Sequence, residues 1–197
     1  MSSPVQLARY DNSWYSPGRS FLWRALWLFI GLPLFRCALL PFSGFRVALL
    51  RLFGAQVGQG VVIHSEVNVK YPWHLQVGNH CWIGERAWID NLTTVRLGDN
   101  TCLSQDCYIC TGNHNWSDPL FGLIVKPVEL HAGAWAAARS TLMPGVVLGE
   151  GAIAGAGSVV AKNIPAYEVH TGNPAVFVRT RHIQDAPAER TGRETAQ

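Results

Sequence analysis

Along residues 57–160 the chain keeps a beat of six. Hexads open at 57, 63, 77, 83, 89, 97, 103, 130, 136, 142, 148 and 154; ten of these twelve openings are Val, Ile or Leu, the exceptions being Ala136 and Ala154. The fifth residue of each hexad comes from the small set Ala, Cys, Ser, Thr and Val, as at Val61, Cys81, Ala87, Cys107, Ser140 and Ser158. Glycine recurs at the second position, as Gly58, Gly78, Gly84, Gly98, Gly149 and Gly155. Neither the helical repeat nor simple strand alternation has this period. Short strands meeting at tight corners do have it. Three such sides make one coil, with the aliphatic residue pointing in, the small one packed beneath it and glycine permitting the bend. Stacked coils then pair their strands about 4.8 Å apart. Val57, Val77 and Leu97 lie twenty apart, so each early coil carries a two-residue bulge at a corner. The pattern predicts an all-β domain built as a parallel β-helix over residues 51–180.

Residues 1–50 lie outside the beat. The run "ALWLFIGLPLF" (25–35) sits between Arg24 and Arg36 and reads as part of two short apolar helices, broken at Pro33 and near Pro41 to Gly44. At eleven residues it is too short to span a bilayer, which takes about twenty. No acidic residue falls between Asp11 and Glu66, while Arg19, Arg24, Arg36, Arg46 and Arg51 do. Two readings stay open for this segment. It caps the open end of the coil, whose strand edges need covering, or residues 19–51 form an interfacial anchor with arginines on anionic head groups. Residues 181–197 are polar and read as a mobile tail.

Composition narrows the class. Hydrophobic residues make up 48% and charged ones 15%, which suits one globular domain rather than a disordered chain or membrane bundle. A net charge of +3 is too small to argue for nucleic acid. The five cysteines are an odd number without framework spacing, as expected in a reducing compartment. With no convincing signal-peptide cleavage site, the expected location is the cytoplasm, or the inner face of the plasma membrane if the anchor reading holds. Cys102, Cys107, Cys110 and His114 can be written as a zinc set; the plainer reading makes the cysteines packing residues.

The hexads halt after Ile109 and resume near Leu130, leaving a loop over 110–129 that contains "TGNHNWSDP". A loop this long within a compact repeat points to function. His114 sits at its root, and an imidazole there can take a proton and return it near neutral pH. The sixth hexad positions, which should face outward, include Val62, Trp82, Trp88, Tyr108, Trp135 and Ile153. So much apolar surface asks for an oligomer.

The run "LMPGVVLGEGAIAGAGSVVAKNIPAYEVHTGNPAVFVR" (142–179), with "LLRLFGAQVG", "YPWHLQVG", "IDNLTTVRLGDN" and "CTGNHNWSDPLF", resembles the hexapeptide-repeat acyltransferases, and among them the colanic-acid-type (WcaF-like) sugar O-acetyltransferases. The resemblance covers residues 50–180. It implies a left-handed β-helix, a homotrimer with active sites between subunits, acetyl-coenzyme A as donor, no metal, and a sugar hydroxyl of an exopolysaccharide precursor as acceptor. It makes His114 the general base and places Asn91 at the acceptor or the reacting centre. By residue type, Asp90 can orient either a sugar hydroxyl or the imidazole, and Trp116 and Asp118 are further candidate acceptor contacts. Trp135, Ala138 and Ala156, beside Gly155 and Gly157, would line the coenzyme groove, and Lys162, Arg179 and Arg181 would meet its phosphates. Residue types do not separate this from an N-acyltransferase of an amino or nucleotide sugar. A non-catalytic scaffold on the same repeat is the remaining alternative, along with a γ-carbonic-anhydrase-type metal enzyme, whose His-x4-His pair is missing.

Overall fold

A run of inward-pointing aliphatics can be satisfied only if each coil lies on the next, and the computed structural model shows that stack. It describes residues 4–40 and 42–184; Pro41 and residues 185–197, which hold most of the expected tail, lie outside the described residues. Five coils of three strands rise in parallel, followed by a partial sixth. The first face carries Gln56–Val57, Leu75–Val77, Val95–Leu97, Val128–Leu130 and Val147–Leu148. The second carries Val62–Ile63, Trp82–Ile83, Cys102–Leu103, Trp135–Ala136 and Ile153–Ala154, and then Glu168–Gly172, on which Ala175–Thr180 folds back antiparallel. The third carries Asn68–Val69, Trp88–Asp90, Tyr108–Cys110, Thr141–Leu142 and Val159–Val160.

Register follows the beat. Val62 pairs with Trp82 and Trp82 with Cys102, whereas Trp135 pairs with Ile153, so the early coils are twenty residues long and a later one eighteen. Eleven of the twelve hexad openings are buried, Val57 being half-buried. Side chains such as Ile89 and Leu103 stack into one continuous core, each contributing about 1.5–3 kcal/mol by leaving water. Beneath them the small fifth residues stack in turn, with Thr101 Oγ1 3.2 Å from Cys81 Sγ.

The glycines do a different job from the one expected. The second-position glycines do not make the bend. A Cβ on Gly84 would lie 2.8 Å from Gln105 N and Ser104 C in the coil above, and Gly78 is equally tight against Asp99 N. They are small because the backbones touch. The bend comes two residues later, at the fourth position, where Glu66, His80, Arg86, Asn100, Asp106 and Arg139 all have positive φ between 56° and 60°. Each bears the left-handed conformation that usually favours glycine.

The N-terminal segment closes the first coil. Phe21–Leu26 starts on Ser20, whose hydroxyl accepts from Trp23 N–H, and continues through a π-helical turn, Trp27–Gly31, into Leu32–Arg36. Pro33 therefore does not break the helix. It lacks the N–H that would bond four residues back, and the wider turn just before it accommodates the ring. The break comes after Arg36, and a second helix follows at Ser43–Leu52. Trp27, Phe35, Leu50 and Phe53 join the same core as Ile63 and Val69, and Trp27 Nε1–H donates to Val69 O at 3.0 Å. Two arginines expected to face anions are spent on this cap. Arg46, 1% exposed, donates to Phe35 O and Cys37 O, carbonyls at a helix end. Arg51 donates to Val57 O and Gly58 O.

Candidate functional site

Every lengthening of the beat falls on one edge of the prism, where the third face turns into the first. The two-residue bulges lie there, between Val69 and Leu75 and between Asp90 and Val95, and so does the long insertion between Cys110 and Val128. That insertion is not an open loop. Gly112–His114 pairs antiparallel with Leu123–Val125, His114 facing Leu123 in register. The tip is tied by Asn115 N–H to Gly122 O at 2.9 Å, and the Asp118 carboxylate accepts from Leu120 N–H at 2.9 Å. The hairpin projects from the edge, and His114, half-buried, forms the last pair of its ladder with Leu123, next to the tip rather than at the root.

The surroundings of His114 fix its proton. Nδ1 lies 2.9 Å from Phe121 O. A carbonyl can only accept, so Nδ1 carries the hydrogen and Nε2 keeps a free lone pair. The Phe121 ring stacks on the imidazole with centroids 4.4 Å apart and planes 11° from parallel. From the other end of the sequence Tyr10 meets the imidazole edge-on at 5.6 Å, in a segment held to the hairpin tip by Gln6 N–H to Pro119 O. The ring is thus clamped between two aromatics with its basic nitrogen unclaimed. Beside it opens a cavity of about 330 Å³ lined by Asn113, His114, Asn115, Trp116, Lys126 and Met143, among others.

The other expected site residues divide. Trp116 lines this cavity and is 80% exposed. Asp118 holds the hairpin tip instead of facing the cavity. Asp90 turns elsewhere: Lys70 Nζ pairs with its Oδ1 at 2.8 Å and Tyr108 O–H donates to Oδ2 at 3.2 Å, in a second cavity under the N-terminal helix. Asn91 belongs to the scaffold. It is fully buried, its Oδ1 accepting from Tyr71 N–H and its Nδ2 donating to Tyr71 O, and it reaches neither cavity. Asn113, Asn115 and Lys126 reach the cavity without having been singled out from sequence, because hairpin pairing, not any motif, brings 113 and 126 together.

Ala138 and Ala156 lie on another edge, where the second face turns into the third, with Gly157 N–H on Ala138 O. This edge fits a thioester arm laid along the backbone: Ala156 is exposed, and a Cβ on Gly157 would meet nothing within 4 Å. Trp135 stands on the second face, 40% exposed, donating from Nε1 to Ser104 Oγ at 2.8 Å. The three expected phosphate ligands are not brought together within one chain. Lys162 is exposed on the His114 edge and Arg179 on the closing strand. Arg181 is committed, its Nη1 donating to Gly133 O and Gly151 O, which ties the chain end to the remaining edge.

Among the described residues no group of three or more His, Cys, Asp or Glu side chains is placed to hold a metal ion. Cys81 and Cys107 fill core slots, and burial pushes the Cys107 thiol up to about 12, so at neutral pH it is neither nucleophile nor ligand. Thiol counting with an aromatic disulfide reagent should therefore leave Cys81 and Cys107 unmodified in the native protein and modify both in denaturant. Native labelling of Cys107 would contradict the packing.

No protein-family model matches the chain. It is 39% identical over 136 residues, 69% of this chain and 75% of the other, to the Escherichia coli (strain K12) protein named as the colanic acid biosynthesis acetyltransferase WcaF. A maltose O-acetyltransferase from Clostridium difficile 630 superposes with a TM-score of 0.71 at 23% identity, covering 83% of this chain and 90% of that one. A hexapeptide-repeat acetyltransferase of Vibrio cholerae, solved with acetyl coenzyme A, gives 0.73 at 19% identity, covering 82% and 88%. The two structural likenesses concern the fold, and place the coil among left-handed β-helices.

Proposed function

This chain belongs to the WcaF-like hexapeptide-repeat acetyltransferases, and from that premise we propose that it moves an acetyl group from acetyl-coenzyme A to a sugar hydroxyl of an exopolysaccharide precursor, with His114 as general base. The observation that carries the reading is the Nδ1 contact to Phe121 O at 2.9 Å, which leaves Nε2 as the free acceptor beside a cavity of sugar size. The V. cholerae neighbour's complex supports the donor, and the E. coli relative's name supports the acceptor class.

The step balances without a covalent enzyme intermediate. As the sugar oxygen bonds to the thioester carbonyl carbon, its O–H proton passes to Nε2. The tetrahedral adduct expels the coenzyme thiolate as the C–S bond breaks, and the imidazolium returns the proton to sulfur. Holding both reactants in line supplies much of the rate. Trp116 offers an apolar face to the sugar ring, and Asn113, Asn115 and Lys126 offer polar contacts around it.

A single chain does not complete this site. His114 and the bare Ala138–Ala156 ledge stand on different edges of the prism, so the base of one copy and the thioester groove of another must meet between subunits. A three-sided prism closes this head-to-tail contact as a trimer, and it would cover outward aromatics such as Trp82, which is 60% exposed. Lys162, on the His114 edge, and Arg179 would then approach one coenzyme from separate chains. Thiol release from acetyl-coenzyme A, followed against a panel of sugars and amino sugars, is expected to require a hydroxyl acceptor. Release driven only by amino sugars would move the reading to N-acylation.

A further inference from the structure

An apolar hollow lies away from His114, between the N-terminal helix and the third face. Its volume is about 530 Å³, and its walls include Phe21, Leu28, Phe29 and Trp88. The charged groups at its rim are Arg24, Lys70 and Asp90. Lys70 and Asp90 pair with each other at 2.8 Å, whereas Arg24 Nε is buried with no hydrogen-bond partner. A buried cationic donor without an acceptor is costly unless something fills the place. The solvent side of the same helix is bare: Phe21, Leu22 and Phe29 are each more than 70% exposed, and just beyond it Leu39 is 90% and Phe42 70% exposed.

The charges carried by the segment itself have one sign, while the acidic neighbours Asp90 and Glu66 belong to the coil. With Arg46 and Arg51 committed to carbonyls, Arg19 and Arg36 are exposed, Arg24 is half-buried at the rim of the hollow, and no acidic residue intervenes from Asn12 to Ser65. A second copy presenting the same face would set these arginines against one another. The carboxylates of Glu66, Glu85 and Asp106 are already grouped around Arg86, which leaves them poor partners for another chain's arginines. Anionic lipid matches both properties: acyl chains for the phenylalanines, phosphates for the guanidinium groups.

We propose that the N-terminal helical segment seats this enzyme on an anionic bilayer, with Phe21, Leu22 and Phe29 in the acyl region, Arg19, Arg24 and Arg36 on lipid phosphates, and the hollow beneath Phe29 taking one acyl chain. The segment is both the cap of the coil and a surface anchor, since its inner side chains close the core and its outer ones face away from it. Among the described residues no helix is long and apolar enough to cross a membrane, so the contact is made from one side.

Flotation of the full chain with vesicles tests this. Phosphatidylglycerol mixed with phosphatidylcholine should carry at least about tenfold more protein than phosphatidylcholine alone, and 0.5 M salt should abolish the difference. The double variant Phe21→Ser/Phe29→Ser should lose flotation while keeping its mass by light scattering and its thiol release with a soluble acceptor. Arg24→Gln should lower the phosphatidylglycerol-dependent fraction. Equal flotation on both vesicle types, or undiminished flotation of the double variant, overturns the proposal. A fall in oligomeric mass of that variant also overturns it and assigns the face to a second copy. The readout does not depend on acetyl transfer, so its failure leaves the catalytic reading standing.

Discussion

Replacing His114 with alanine is expected to lower kcat for acetyl transfer by about 10²- to 10⁴-fold, the range lost when a positioned general base is removed. That corresponds to about 3–5 kcal/mol of transition-state stabilisation. The proposed thioester groove lies on another edge, so binding of acetyl-coenzyme A should be unchanged, and so should oligomeric mass. The substitution does remove the stacking with Phe121 and the edge contact with Tyr10, at a cost of about 1 kcal/mol to the hairpin. A thermal melt alongside the kinetics separates the two effects. His114→Gln sharpens the case, because glutamine can fill the space and bond to Phe121 O yet cannot accept and return the proton. A variant of either kind with wild-type kcat would remove His114 from the chemistry.

What the sequence disclosed is what period alone dictates. A beat of six decides which side chains face in, and Ile63, Ile89, Leu103 and Leu148 are buried as that beat requires. Outward placement of Trp82, Trp88 and Trp135 follows from the same count. The interruption at 110–129 pointed to the proposed site because extra chain inside a stack has no structural reason to be there. Contacts made to backbone carbonyls were not legible. Arg46, Arg51 and Arg181 look in sequence like cations for anionic partners, and each is instead bonded to main-chain oxygens that carry no residue signature. Asn91 misled for a related reason: an amide that satisfies the main chain of Tyr71 reads the same as one that holds a substrate. Glycine at the second position suggested bends; what it marks is contact between coils, while residues as varied as Glu66 and Arg139 make the turns. The clamp on His114 draws on Tyr10, more than a hundred residues upstream, a pairing no local pattern encodes.

The proposed sharing of the site between copies makes a second large effect testable. Ala156 is exposed on the proposed thioester edge, so Ala156→Trp should fill the groove without disturbing the core and should abolish turnover. His114→Ala abolishes it from the other side. Each variant alone forms only damaged sites. In mixed trimers some sites receive an intact His114 from one chain and an intact Ala156 edge from its neighbour. Random assembly from equal amounts gives about a quarter of the sites both intact halves. The decisive measurement is therefore thiol release by the two inactive variants co-expressed and purified together. Recovery to about a quarter of wild-type activity is the predicted result; a mixed assembly as inactive as its parents would contradict a base and a thioester groove contributed by different chains.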